Sequence, residues 1–206
     1  MTKQPFSNGD INFDNADTFA SQEGYLEGQL LIATPSIMGE FFTQSVIFVF
    51  AHNAGGAMGI VLNKPLDMIH SAALFQQLGI QINETQPELT VYHGGPIEEN
   101  RGFVLHSDDY ETEDTLIFEE GINITASLNV LRDLAKGKGP KDALLAVGYA
   151  GWAAGQLESE IEANNWLTLQ ATPDIVFCGD NNAKYGLSTK AIGVDMLRFS
   201  PVAGHA

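Results

Sequence analysis

Residues 45–63, SVIFVFAHNAGGAMGIVLN, decide the fold. SVIFVFA (45–51) is β-branched and aromatic through its centre, with no polar position after Ser45, so it predicts a strand buried on both faces. His52-Asn53-Ala54-Gly55-Gly56 is turn chemistry, and AMGIVLN (57–63) returns as a second strand that Pro65 stops. A hairpin covered on both faces needs layers of structure above and below it.

Working outward, GQLLIA (28–33) is a short apolar run broken by Thr34-Pro35, because the residue before proline avoids the helical region. Asp67 is placed to cap a helix over Met68 to Leu78, with Gly79 as its stop. Leu89 to Tyr92 and Gly102 to Leu105 read as strands joined around a glycine turn. Leu128, Leu131, Leu134 and Ala135 recur at helical spacing after Thr125 or Ser127, and Gly137 ends that helix. ALLAVGY (143–149) predicts a central strand, and a helix follows from about Trp152 to Ala163. Strands and helices mix without a βαβ rhythm, which predicts an α+β domain: a partly closed mixed sheet with peripheral helices. Residues 1–23 are polar and read as a flexible tail, which leaves 24–206 as one domain.

Charge narrows the function. Ten Lys plus Arg stand against 26 Asp plus Glu, a formal net charge of -16. Binding a phosphate backbone requires cationic side chains to displace counterions. Only Lys136, Lys138 and Lys141 approach a cluster, so no direct nucleic-acid partner is expected. No run of about 18 apolar residues predicts a membrane span. The N-terminal residues lack the basic and apolar regions of a signal peptide. Cys178 is the single cysteine and excludes an internal disulfide, and the reading is a cytoplasmic protein. The run DDYETED (108–114) reads as a solvated loop, since it lacks the glycine pivot and closing Glu of a calcium loop.

No nucleophile elbow, phosphate loop, dinucleotide turn or zinc helix is present. No catalytic residue and no cofactor are therefore assigned. Two blocks are site-like. In the first, Gly94 and Gly95 permit close approach to the main chain, Arg101 offers a bidentate fork, and a hairpin would bring His106 back beside His93. His93, Arg101 and His106 could surround an anion, or the segment could simply form a tight hairpin in which Arg101 pairs with Glu98 or Glu99. In the second, a helix beginning near Trp152 would present free N–H groups, with Gln156 and Glu158 near its end. The alternative there is Trp152 in the core and a Glu158-Glu160-Glu162 face that is solvated or meets a basic partner. His52 and Asn53 read as structural turn residues. A metal site from His52, His93 and His106 has no local spacing to support it. Cys178 reads as a buried small hydrophobe, and His205 as a residue that docks the C-terminal end.

Four segments carry a family resemblance: GQLLIATPSIM (28–38), SVIFVFAHNAGGAMGIVLNKP (45–65), HGGPIEENRGFVLH (93–106) and GYAGWAAGQLESEIEANNWL (148–167). With the closing GHA (204–206), they resemble the bacterial AlgH family, also called YqgE. Tyr185 departs from the Trp that members tend to carry there, a change of packing rather than of chemistry. The resemblance implies a fold of coiled, bifurcated sheets ringed by helices. It implies a role in regulating alginate genes, which the charge makes indirect. The expected function is a non-catalytic regulatory module that binds a protein partner or small ligand. The alternative is an enzyme or metabolite sensor for a small anionic substrate, with Arg101 orienting it, His93 or His106 moving a proton, and the helix start at Trp152 donating N–H groups.

Overall fold

The hairpin forms as read. In this computed structural model, which describes residues 25–81 and 89–194, β2 (Val46–Asn53) and β3 (Gly56–Val61) pair antiparallel across a tight turn. Val46, Phe48 and Phe50 enter one core, while Ile47 and Val49 enter another on the opposite face. That alternation follows from the period of two along a strand, and it explains the lack of polar positions in 46–51. β1 (Gln29–Ala33) lies beside β2 and divides its side chains the same way, Leu30 and Ile32 against Leu31 and Ala33.

The remaining strands are β4 (Pro65–His70), β5 (Thr90–His93), β6 (Ile97–Ser107), β7 (Thr115–Ile117), β8 (Ile122–Thr125), β9 (Ala143–Ala153) and β10 (Trp166–Gln170). They make one sheet in the order β10-β1-β2-β3-β9-β6-β8-β7, with β5 on β9 and β4 on β5. The eleven-residue β9 is where the sheet divides. Its first half, Leu145 to Val147, lies between parallel β5 and antiparallel β6, and its second half, Ala150 to Ala153, pairs with β3. Gly148 sits between the halves with φ +73°. β5 and β3 therefore share one edge of β9 in succession, stitched where Val61 N–H donates to Gly94 O and Gly94 N–H donates to Val147 O.

The helices are α1 (Ser71–Gln77), α2 (Leu128–Ala135), α3 (Gln156–Glu162), α4 (Pro173–Val176) and α5 (Asn181–Ile192). α1 and α2 cover one face of the β5/β9/β6 sheet through Leu74, Phe75, Val130 and Leu131. α3 covers the β1/β2/β3 side through Leu157. The domain is α+β with a curled sheet, as expected.

Three elements differ from expectation. β5 and β6 do not form a hairpin with each other, because β9 runs between them. The backbone stays extended through His70, so α1 starts at Ser71 rather than Met68. β9 continues through Trp152 to Ala153, and α3 starts only at Gln156. In the last two cases sheet pairing holds residues that propensity alone assigns to a helix. The expected tail (1–23) and His205 lie outside the described residues. Among the described residues no helix is long and apolar enough to cross a membrane.

Candidate functional site

The first block separates. His93 ends β5 opposite Val147, whereas His106 lies opposite Ala143, four residues or roughly 13 Å further along β9. His106 is fully buried. Its Nδ1–H donates to Ser107 O at 2.9 Å, which leaves Nε2 to accept from the Thr125 hydroxyl at 2.8 Å. Burial pushes its pKa down, opposed by the Ser107 bond and by Asp109. His106 is thus a core residue and takes no part in an anion site. Arg101 does pair with Glu98, at 3.2 Å, and its guanidinium lies 5.2 Å from the centre of the Phe103 ring. His93 Nε2 is 3.6 Å from Glu99, and its Nδ1 is buried without a hydrogen-bond partner among the described residues.

Gly94 and Gly95 are needed for close approach, but the backbone they admit is that of β9. A Cβ on Gly94 would lie 2.3 Å from Gly148 O, and one on Gly95 would lie 1.9 Å from the Tyr149 carbonyl carbon. These glycines serve the strand crossing, not a ligand.

The second block also changes character. Trp152 is a strand residue, 8% exposed, so it marks no helix start, and the seven-residue α3 begins after Gly155. Glu158 turns away to His52, whose Nε2 it meets at 3.0 Å. His52 Nδ1 accepts the Leu26 N–H, so the proton sits on Nε2 and donates to Glu158. That pair ties α3 to the hairpin and to the segment leading into β1. His52 is structural, as read.

Glu160 stands in the sequence only as part of the Glu158-Glu160-Glu162 face, whereas the structure joins it to both tryptophans. Its Oε2 accepts from Trp152 Nε1 at 2.9 Å and from Trp166 Nε1 at 2.7 Å, and its Oε1 accepts from Gln156 Nε2 at 2.9 Å. Gln156 Oε1 in turn accepts the Ala153 N–H. The available signal was the Gln156/Glu160 spacing of four on one helix face, between the only two tryptophans in the chain.

Around Glu160 opens a groove of about 490 Å³, lined by Ser36, Ile37, Met38, Phe42, Gly151, Trp152, Gln156, Asn165 and Trp166. Trp152 and Trp166 meet edge to face at 5.9 Å, and Phe42 adds a third ring at 6.0 Å from Trp166. Phe41 continues the row to His93 at 4.6 Å. Met38 is 92% exposed on the rim. Ile97, 38% exposed, lies against Gly151, with its Cδ1 2.8 Å from where a Cβ would stand. The two sequence blocks therefore do meet, across β9, through Ile97 and Gly151 rather than through Arg101 and His106.

A second cavity, of about 450 Å³, lies between Leu89, Leu134, the 137–143 turn and Phe177. Its Lys141 N–H is already taken by Asp109. Among the described residues, no set of three His, Cys, Asp or Glu is arranged to hold a metal ion, and His52, His93 and His106 have separate partners. Cys178 is half-buried rather than buried. Tyr185 donates to Ala33 O at 2.7 Å, a packing role.

The DUF179 family model, described as AlgH-like, matches residues 30–197. The chain belongs to this AlgH-like family. A UPF0301 protein of Nitrobacter hamburgensis is 48% identical over 201 residues, covering 94% of this chain and 93% of its own. A UPF0301 protein of Mesorhizobium japonicum is 42% identical over 193 residues, covering 91% and 96%. The solution structure of the AlgH protein from Pseudomonas aeruginosa superposes with a TM-score of 0.70 at 35% identity, covering 91% of this AlgH-like chain and 99% of its own. A Corynebacterium diphtheriae protein shares the fold at TM-score 0.65 and 20% identity, covering 83% and 89%.

Proposed function

We propose that this AlgH-like protein is a non-catalytic binding module whose Trp152–Trp166 groove takes an apolar, basic segment of a partner protein. The observation that carries this reading is the Glu160 carboxylate, fixed by two indole N–H groups between aromatic walls and flanked by exposed Met38. Exposed apolar side chains beside a walled groove mark interaction surfaces. The groove's fixed charge is negative in a chain of net charge -16, which steers cationic partners toward it and repels acidic ones. A small anionic substrate fits less well, since it would have to displace Glu98 from Arg101 and meet Glu99 beside His93. Any regulatory effect, on transcription included, then passes through the bound partner, and the single cysteine and acidic surface suit a cytoplasmic setting.

Both tryptophans of the chain line the groove, so tryptophan emission, excited apart from the five tyrosines, reports on it. An acetylated peptide of about ten alternating Lys and Val residues should change the emission saturably. It should bind on the order of tenfold more tightly than its Glu-Val counterpart and weaken as salt rises from about 50 to 500 mM. Equal binding of the two peptides, or no change with either, would contradict the reading.

A further inference from the structure

We infer that the partner segment enters as an added β-strand along the C-terminal half of β9, a proposal that rests on the groove being the binding site. The strand order β10-β1-β2-β3-β9 has β9 and β10 at opposite ends, yet the sheet curls until Trp152 of β9 and Trp166 of β10 stand 5.9 Å apart. Among the described residues no strand ladder joins β9 to β10, and α3 bridges the gap with side chains. The groove is the open seam of a half-barrel.

Ladder alternation shows which amides face that seam. Leu62 N–H donates to Val46 on β2, whereas Val61 N–H points the other way, to Gly94 O. Continuing down β3 in steps of two, Gly59 and Ala57 face β9 and exchange hydrogen bonds with their register partners Ala150 and Trp152. The amide groups of Gly151 and Ala153 therefore face away from β3. Ala153 confirms the direction, because its N–H is met by the Gln156 side chain at 3.0 Å, not by β3. On this edge β6 pairs with β9 from Gly102 to His106 and again at Ile97, where it stops opposite Tyr149. Beyond Tyr149, among the described residues, the edge carries no strand.

Gln156 Oε1 occupies the place of an incoming carbonyl, and Gly151 adds no side chain of its own to the adjacent edge. Added strands use edges of this kind: main-chain hydrogen bonds hold the segment, and alternate side chains read its sequence. In an extended segment, successive side chains face opposite sides. The apolar set meets Trp152 and Met38, and the basic set lies on the face of β9 that carries Tyr149 and its partner Glu98, so the occupant that fits is a segment alternating apolar and basic residues.

The test follows Gly151 N–H exchange by NMR together with tryptophan emission in one sample, using the Lys-Val peptide. Binding as a strand should saturate the emission change and slow Gly151 exchange on the order of tenfold, with Gly102, outside the seam, unchanged. Saturating emission with Gly151 exchange unchanged, or slowed no more than Gly102, overturns the added strand and leaves the groove reading in place. No emission change removes the groove reading and this inference with it.

Discussion

Gly148→Ala should cost the domain on the order of 4 kcal/mol or more, a large loss for a single methyl group. At this chain length that lowers the melting temperature by roughly 10 °C. Two effects combine there. Gly148 has φ +73°, where a Cβ costs roughly 1–2 kcal/mol. The new Cβ would also stand 2.3 Å from Gly95 O, 3.1 Å from Ile97 O and 3.2 Å from Glu99 Cα, all of them main chain. Backbone held by β5, β6 and β9 together cannot retreat cheaply. Gly155→Ala separates the two effects, since its φ is +72° and nothing lies within 4 Å of its Cβ position. It should lose only the conformational part. Thermal melts showing equal losses for the two variants would refute the account of the crossing at Gly148.

Stability should rise, by about 2 kcal/mol, as pH increases from about 8 to about 10. The cause is Lys184, 1% exposed on α5, whose Nζ donates to Leu62 O and lies 4.9 Å from the centre of the Tyr92 ring. No carboxylate among the described residues pairs with it. Desolvation pushes its pKa down to about 8, against about 10.4 in the unfolded chain. Below pH 8 both states carry the proton, and the folded state bears the full burial penalty. Between pH 8 and 10.5 the folded state releases the proton while the unfolded state keeps it. The unfolded state then binds more protons, and stability climbs with pH. Above about pH 10 the tyrosines oppose the rise, because burial pushes Tyr92, Tyr149 and Tyr185 up and Tyr110 up to about 12, so the unfolded chain releases those protons first. Denaturant titrations across the range check this, and Lys184→Met should flatten the curve. A slope that survives in Lys184→Met would assign the effect to another group.

The parts of the fold legible in the sequence are those fixed by local pattern. Val46 to Phe50 is apolar at every position, and burial on two faces is the only environment that accepts it. Leu128 to Ala135 repeats at helical spacing, and Gly137, at φ +71°, stops it. What escaped was set by distant partners. Trp152 and Ala153 follow a strand and precede a helix, and only their pairing with Ala57 and Gly56 decides between the two. The histidines at 93 and 106 look like two ends of a turn until β9, some forty residues later, runs between their strands. The glycine pair at 94 and 95 was rightly read as a close approach but given the wrong visitor. Glu160 could not stand out, because its importance comes from two indoles that the chain brings together over fourteen residues, from Trp152 to Trp166.

On the proposed function, the Trp152–Trp166 groove, not the Arg101 cluster, is where this protein binds. A two-dimensional NMR spectrum tests it directly, because the two indole N–H signals and the Arg101 Nε–H signal are resolved from the backbone amides. Titration with the Lys-Val peptide should move both indole signals and leave Arg101 in place, while inorganic phosphate should move neither. Indole signals that stay fixed while phosphate shifts Arg101 would contradict the account and place the site at the anion cluster instead.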